Sequence, residues 1–508
     1  MSDSSVSPKR LLSELLRAIE ARTDLRPQLV DVEPLAVLEG LVSDSRAAGP
    51  GVAFIAIPGT QVDGHEFLSA VFDAGSPFAF VEAGRPRPAG HAYVELESTA
   101  RALPWLASAY HGAPSTRMKN FGVTGTNGKT TCAHLLASIF RRAELPHARL
   151  GTTGNWIVDH EESAAFTTPF PIELQAILAR AVGAGAQALV MEVSSHALAQ
   201  GRTEAIAFDG VALTSFSQDH LDFHPTMEDY LAAKLKLARE YLVADGLAVA
   251  PVDDMPEAEA FARAARAAGA RAWRASRGKV EDAELLIESC RTHPGGSELR
   301  LRSPVGTLHF DSPLVGDFNL DNLMVATGLA IQAGISSTDI ESALSQSRGA
   351  PGRLQAVALE NGRGPRVFVD YAHTPDAVVR ALAALRPSVE GRLVVLLGCG
   401  GDRDRSKRPQ MAKAAREGAD LFWATSDNPR TENPEAILDE MLEGFPSESP
   451  MRRDADRARA IASAIAEADE RDTILIAGKG HEDYQILGRE KIHFDDREHA
   501  LAALRARS

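Results

Sequence analysis

Cysteine is scarce in this 508-residue chain: Cys132, Cys290 and Cys399 are the only three, far apart and without C-x-x-C spacing. That excludes a disulfide framework and a zinc ribbon, and fits a reduced interior. Long apolar runs are missing too, and none approaches the roughly 20 residues of a membrane span. The opening "MSDSSVSPKRLLSELLRAIE" holds a short amphipathic stretch but not the apolar core of a signal peptide. Positive charge is in deficit: 54 Lys and Arg against 69 Asp and Glu give a net charge of −15. Such a surface argues against a sequence-independent nucleic-acid binder, so an anionic ligand must be held by local Arg, Lys and backbone amides. What is present is a hydrophobic content of 44%, enough for real cores. The length suggests about three domains. A soluble, cytoplasmic chain is expected, a monomer with no nucleic-acid partner and no membrane span.

The pattern is α/β. In residues 1–115, "VAFIAIPG" and "FAFVEAG" read as strands ended by Gly or Pro, and "STARALPWLASAYHG" as a helix. "HGAPSTRMKN" reads as a linker. A second unit, 116–346, opens with the strand "FGV" and a helix from Lys129 towards Pro146. "ALVMEVSSH" and "GVALTSF" are apolar runs ending in polar residues, as strands of a parallel sheet meet a site at their carboxyl ends. A β-rich stretch covers 280–312, and a helix begins in "GDFNLDN". A third unit, 347–508, alternates strands and helices through "RVFVDYAH", "RLVVLLGCGG", "LFWATSDNP" and "TILIAGKGH".

"GVTGTNGKTT" at 122–131 carries the chemistry. It departs from the common phosphate loop G-x-x-x-x-G-K-[ST], because Val123 stands where the first glycine belongs. The physical needs are still met. Gly125 and Gly128 let backbone amides approach an anion. The helix from Lys129 aims free N–H groups and its positive dipole end at the same point. Lys129 adds a mobile charge, and the Thr130 hydroxyl suits Mg²⁺. The alternative is a Gly-rich turn before a helix. The loop names no reaction, since kinases, motors and ligases all use one.

"GTNGKTT", "MEVSSH", "DHLDFH", "YLAAK", "GDFNLDN", "PGRLQ", "VDYAHTPD", "GCGGDRDRSKRP", "TSDNPR" and "AGKGHEDYQ" follow one another from about residue 122 to 485. In this order they resemble the Mur ligases, which add amino acids to the peptidoglycan precursor, and among them the diaminopimelate-adding members. The resemblance implies three domains: a mixed α/β N-terminal domain for the UDP-sugar (1–115), a central P-loop ATPase-type parallel-sheet domain (116–346) and a Rossmann-like C-terminal domain for the amino acid (347–508). It implies an ATP-dependent amide ligase joining meso-2,6-diaminopimelate to the D-Glu γ-carboxylate of UDP-N-acetylmuramoyl-L-alanyl-D-glutamate through an acyl phosphate. A lysine-adding ligase of the same family is the alternative.

Site residues carry over position by position. Gly125, Thr126, Asn127, Gly128, Lys129, Thr130 and Thr131, with Asn319, Asn322, Arg353, Asp370 and His373, match positions around ATP. The bland alternatives are cap or turn roles, especially for Asn319 and Asn322. Thr130, Glu192 and His220 match Mg²⁺ donors, and Lys234 of "Y-x-A-A-K" matches a lysine carbamylated by CO₂, whose carbamate can hold a metal. By composition alone Lys234 is a solvated helix lysine. His220 and His224 could suggest zinc, but no third close ligand is apparent. We expect no metal role for His224. Ser43, Ser45, Thr60, Gln61, Thr167, Thr168, Ser194, Gln200 and Arg202 match the UDP-sugar-peptide site. Asp427, Asn428, Pro429 and Arg430, with Arg403, Gly478 and Glu482, match the amino-acid site. There Arg430 suits the second carboxylate of diaminopimelate and Glu482 an ammonium. Arg430 as a solvated surface residue at a helix start is the alternative. The chain departs from the family at Ser215, where asparagine is common, and at Ser43, where leucine is.

Two rivals remain. Folylpolyglutamate and cyanophycin synthetases share the loop but not the pair "DNPR" and "GKGHEDYQ". A nucleotide switch would need neither Arg430 nor Glu482.

Overall fold

The computed structural model describes residues 8–59, 62–293, 295–359, 362–445 and 450–507. The chain divides into two compact units. The first comprises residues 1–129, 143–274 and 329–335, and the second 130–142, 275–328 and 336–508.

The first unit holds a two-stranded pairing of Arg10–Leu11 with Val37–Leu38 and strands of two larger sheets. A five-stranded sheet has the order Gln28–Val30, Tyr93–Leu96, Ala79–Glu82, Val52–Ile55, Gly40–Val42. Its first pairing is antiparallel and the others parallel. In the second sheet His160–Glu162 and Gly154–Ile157 add antiparallel at the edge of His147–Gly151, and Ala188–Glu192, Lys119–Thr124, Phe208–Leu213 and Leu242–Pro251 follow in that order, each parallel to the strand before it. Ala188–Glu192 is buried at all five positions, which explains its unbroken apolar text: a parallel strand is covered on both faces. Lys119–Thr124 lies inside the order although it comes first in the chain, so crossovers leave it on both sides. That is where open α/β sheets place ligands, at the carboxyl ends.

The stretch 111–120 is not a loose linker. Pro114–Arg117 forms a 3₁₀ turn with Pro114 and Ser115 buried, and Met118 joins the core beside Leu189 and Phe208. The Ser115 hydroxyl donates to Ala205 O at 3.2 Å, and Asn120 Nδ2 donates to Ser115 O and Ala207 O, both at 2.9 Å. Gly and Pro there signal a tight turn, and these bonds tie it down.

In the second unit, Leu285–His293, Gly296–Ser303 and Gly306–Ser312 form an antiparallel meander. It has one dry face: Leu299 and Leu301 are buried while Arg300 between them is exposed. The six-stranded sheet has the order Gln355–Val357, Arg366–Asp370, Thr473–Ala477, Leu393–Leu397, Leu421–Thr425, Met451–Asp454, antiparallel only at the first pairing. Alternate side chains feed two cores. Phe368, Val395, Leu397 and Leu475 pack on one face, and Val367, Val369, Leu396 and Ile476 on the other. The period of two in a strand dictates this division. Among the described residues no helix is long and apolar enough to cross a membrane.

Candidate active site

The loop after Lys119–Thr124 is built by its glycines and fastened by its neighbour. Gly125 has φ +150°, and a Cβ there would lie 2.1 Å from Thr214 Oγ1, so no larger residue fits. Gly128 is also left-handed, at φ 87°. The segment following Phe208–Leu213 grips the loop. Thr126 N donates to Ser215 O at 2.9 Å, Asn127 N to Ser215 Oγ at 2.8 Å, and Thr214 Oγ1 to Asn127 O at 2.5 Å. Ser215, where the family commonly has asparagine, thus clamps the loop by backbone and side chain together. Lys129 Nζ donates to Gly125 O and Thr126 O, both at 2.9 Å, so the loop's cation folds back over its own turn. Thr130 and Thr131 are buried in the first turn of the helix Lys129–Arg142.

The polar ends of Ala188–Glu192 form a second group. Glu192, only 1% exposed, accepts from Thr152 N at 2.9 Å and from Thr152 Oγ1 at 3.1 Å. The Thr152 hydroxyl also meets Thr167 Oγ1 at 3.0 Å. Thr168 Oγ1 donates to Glu192 O at 2.9 Å and accepts from Ser194 N at 3.1 Å. Ser194 in turn caps the helix Ser195–Ala199. Arg202 donates to Thr168 O and Gln200 Oε1, each at 2.8 Å, and lies 3.8 Å from the Phe170 ring centre. The structure therefore joins Glu192, Thr167, Thr168, Ser194, Gln200 and Arg202 into one network. Ser43 is exposed and Ser45 half-buried, on the 3₁₀ turn capped by Asp44. Thr60 and Gln61 lie outside the described residues.

Lys234 corrects the composition-based expectation. It is 1% exposed, with Nζ 4.4 Å from the Tyr230 ring centre. The buried stripe of its helix, Met227–Arg239, is Tyr230, Ala233, Lys234, Leu237 and Ala238. Helical spacing carries Lys234 inward and leaves Lys236, two residues on, off that stripe, so periodicity could have revealed it. Burial pushes the Lys234 amine well below the ordinary lysine range; Lys129 adds to this and Asp219 opposes it. Tyr230 also reaches the phosphate loop, its hydroxyl 3.2 Å from Thr126 Oγ1.

His220 has a left-handed backbone, φ 54°, and its Nε2 lies 3.5 Å from Asp219 Oδ2. Burial lowers its pKa, and Asp219 partly offsets that. The His196 ring meets it edge to face, ring centres 4.8 Å apart, and meets His224 in the same way at 5.7 Å. Among the described residues no three His, Cys, Asp or Glu side chains are arranged to hold a metal. A hard carboxylate such as Glu192 is the donor type that suits Mg²⁺, which takes few protein ligands and keeps water and phosphate oxygens; a zinc cage would need more nitrogen or sulfur donors together.

In the second unit the nucleotide-type residues fall into two groups. Asn319 Nδ2 donates to Val315 O at 2.9 Å and Asn322 Nδ2 to Asn319 Oδ1 at 3.1 Å; Cys132 Sγ lies 3.2 Å from Asn322 Oδ1. Both asparagines are buried and hold the first turn of Asp317–Ala333. Asp370, at the end of its strand, accepts from Leu354 N at 2.7 Å, and the Arg353 guanidinium lies 4.7 Å from the Tyr371 ring centre. Burial raises the Asp370 pKa against the pull of Arg353. His373 is exposed, with Nδ1 2.7 Å from Tyr371 O.

The segments 427–430 and 478–488 meet at the carboxyl ends of Leu421–Thr425 and Thr473–Ala477. Gly478, φ +113°, leaves space where a Cβ would lie 2.7 Å from Asp427 Oδ2. Arg430 is half-buried and left-handed, φ 52°. Its N–H donates to Ile486 O at 3.0 Å, its carbonyl accepts from Gly488 N at 2.7 Å, and Nη1 donates to Gly401 O at 2.8 Å. Arg430 is not a solvated residue at a helix start; the next helix begins at Pro434. Asn428 Nδ2 donates to Glu482 Oε2 at 2.8 Å. Pro429 O sits where a Cβ on Gly401 would meet it at 1.9 Å. Arg403 is exposed, with Nη1 3.3 Å from Asp402 O. Burial raises the Asp427 pKa, opposed by Arg457 and Lys479.

Several supports escaped sequence reasoning. Thr152 holds Glu192, Gln485 donates to Asp427 O at 2.6 Å, and buried Arg457 binds Ser426 O, Ala477 O and Asp496. None has a local signature; each is defined by a partner far away in the chain.

The Mur ligase middle domain matches residues 123–330, and the Mur ligase glutamate ligase domain matches 352–480. The chain is 44% identical over 503 residues to the UDP-N-acetylmuramoyl-L-alanyl-D-glutamate--2,6-diaminopimelate ligase of Trichormus variabilis, covering 98% of this chain and 99% of that protein. It is 45% identical to the protein of the same name from Gloeobacter violaceus, again over 98% and 99%. A solved structure with that name superposes with a TM-score of 0.70 at 32% identity, covering 94% of this chain and 97% of the other. A phosphate loop, a buried lysine on the "YLAAK" helix and the "DNPR" segment beside "GKGHE" thus stand in a chain matched almost end to end: it belongs to the Mur ligase family.

Proposed function

We propose that this chain is an ATP-dependent ligase that joins meso-2,6-diaminopimelate to the D-Glu γ-carboxylate of UDP-N-acetylmuramoyl-L-alanyl-D-glutamate. Near full-length identity to relatives of that name carries the reading. A carboxylate does not acylate an amine at neutral pH, because oxide is a poor leaving group. The carboxylate oxygen attacks the γ-phosphorus of ATP and ADP leaves. The amine, having lost its proton, attacks the acyl phosphate carbon. The tetrahedral intermediate then expels phosphate and the amide remains. Positioning and charge neutralisation dominate such chemistry.

Each group of residues has a task in this reading. Gly125–Gly128 with Lys129, Thr130 and Thr131 cradle the ATP phosphates, and Lys129 exchanges its loop carbonyls for phosphate oxygens. Arg353, Asp370 and His373 contact the nucleotide, while Asn319 and Asn322 shape the helix start beside it. Ser43, Ser45, Thr60, Gln61, Thr167, Thr168, Ser194, Gln200 and Arg202 bind the UDP-sugar dipeptide. That places this substrate on residues 1–115 and the adjoining face of 116–346, and the amino acid on 347–508. The donors to Mg²⁺ would be Glu192, His220 and, next after Lys129, Thr130; the ion neutralises phosphate charge when bound. Lys234 suits a carbamate. An amine whose pKa burial pushes well down gives up its proton more readily and can then attack CO₂, and the anion formed would face Lys129 as a partner rather than as a like charge.

Arg430 favours diaminopimelate over lysine, since only the former brings a second carboxylate to a guanidinium. The test is ADP release from ATP with the UDP-sugar dipeptide and each of several amino acids. Release should require both the dipeptide and meso-diaminopimelate. A preference for lysine, or release without any amino acid, would overturn the reading.

A further inference from the structure

Lys479 has no place in the assignment above, yet it is 0% exposed and stands amid the residues assigned to the amino acid. Its Nζ donates to Asn428 Oδ1 and to Glu482 Oε2, each at 3.3 Å, and lies 4.0 Å from Asp427 Oδ1. Asn428 Nδ2 donates to the same Glu482 oxygen at 2.8 Å, and Asn428 Oδ1 also accepts from Ile486 N at 3.0 Å. These bonds fix which way the Asn428 amide faces: its oxygen meets two donors, and its nitrogen meets the carboxylate. Glu482 Oε2 is therefore gripped from two sides.

A buried charge is costly unless paired and hydrogen-bonded, so this arrangement has no slack. One ammonium, Lys479, faces two carboxylates, Glu482 and Asp427. Arg457 is already committed to Asp496 and two carbonyls. The Lys479 and Asn428 bonds to Glu482 both fall on one oxygen, Oε2.

We propose that Lys479 is a positioning residue for amino-acid recognition: with Asn428 it locks Glu482 Oε2, so that Oε1 is presented to an ammonium group of the incoming amino acid. This rests on the reading that 427–430, Gly478 and Glu482 bind that substrate. Lys479 is a specificity element for amino acids as a class, whereas Arg430 distinguishes among them.

The experiment compares the parent with Lys479→Gln, Lys479→Arg, Glu482→Gln and the Lys479→Gln/Glu482→Gln pair. KM is measured separately for the amino acid, ATP and the UDP-sugar dipeptide. Lys479→Gln should raise the KM for the amino acid about 10–100-fold, the worth of a hydrogen bond to a charged group, and leave the other two KM values unchanged. Lys479→Arg should restore part of the loss. The pair should lose little more than Glu482→Gln alone, because both act through one carboxylate. Diaminopimelate and lysine should suffer equally, since both carry the ammonium. If Lys479→Gln does not fold, Asn428→Ala removes the other grip and carries the same expectation. An unchanged amino-acid KM, equal rises for all three substrates, or additive losses in the pair would overturn the proposal. The amino acid used is whichever the parent turns over fastest. A parent that ignores diaminopimelate overturns the substrate reading, and the Lys479 measurement then runs on the other amino acid. A parent that uses none overturns both.

Discussion

Among the described residues two lysines are buried, Lys234 in the first unit and Lys479 in the second, at 1% and 0% exposure. Their surroundings are opposite. Lys234 rests against the Tyr230 ring, and the largest charge effect on it is repulsion from Lys129. Lys479 is bonded to a carboxylate and an amide, with a second carboxylate 4.0 Å away. Burial alone therefore says little about what a lysine does. Lys234 lies against a ring with its pKa pushed well down by burial, whereas Lys479 fastens two side chains together. The same division runs through the two regions. The loop at 125–128 is held mainly by backbone groups and hydroxyls, with Lys129 folded onto Gly125 O and Thr126 O. The segments around Asn428 and Glu482 are held by charged and amide side chains bonded to one another.

The comparison can be broken most severely at the loop. Lys129→Ala should reduce ATP turnover by about 10³-fold or more while circular dichroism and Tm stay near the parent values. Near-parental ATPase would mean that the loop does not carry phosphate chemistry. Lys234→Ala comes next, with a loss of about 10²–10³-fold that short carboxylic acids partly restore by standing in for the carbamate. A mass spectrum showing a plain amine in fully active enzyme would remove the contrast with Lys479.

Arg430→Ala should lower kcat/KM for diaminopimelate by roughly 10²–10³-fold. Losing one partner of a buried charged pair costs about 3–5 kcal/mol, at about 1.4 kcal/mol per tenfold. Lysine should already be poor for the parent and change little further, and KM for ATP should hold. Equal losses for both amino acids would show that Arg430 does not read the distal carboxylate.

The smallest effect sharpens the charge argument. Burial raises the folded pKa of Asp427 above its unfolded value, so the folded state binds more protons across that window. Stability then falls as pH rises through it. Asp427→Asn should remove this slope, and its Tm relative to the parent should be higher at pH 7 than at pH 4. A Tm difference that does not vary with pH would mean that Asp427 is already compensated by Lys479.

Much of the site was legible because it is local. In "GTNGKTT" the glycines, the lysine and the helix start are contiguous, so spacing alone fixes what they can do. Glu192 and Asp370 end apolar runs, and a parallel sheet must deliver such residues to its carboxyl edge. The burial of Lys234 was legible in principle from Tyr230, Ala233, Leu237 and Ala238, because helical period places them on one face. The sequence by itself thus determined the α/β alternation, the phosphate loop and the ends of the strands. Only the tertiary structure decided that Ser215 clamps Asn127, that Thr152 holds Glu192, and that Lys479 and Asn428 share Glu482. The Ser215–Asn127, Thr152–Glu192 and Asn428 contacts join residues 88, 40 and 51–54 positions apart, and only the Lys479–Glu482 bond among them is local. No local period encodes such pairings; they exist because neighbouring strands bring their ends together and a buried polar group must find a partner where the fold provides one.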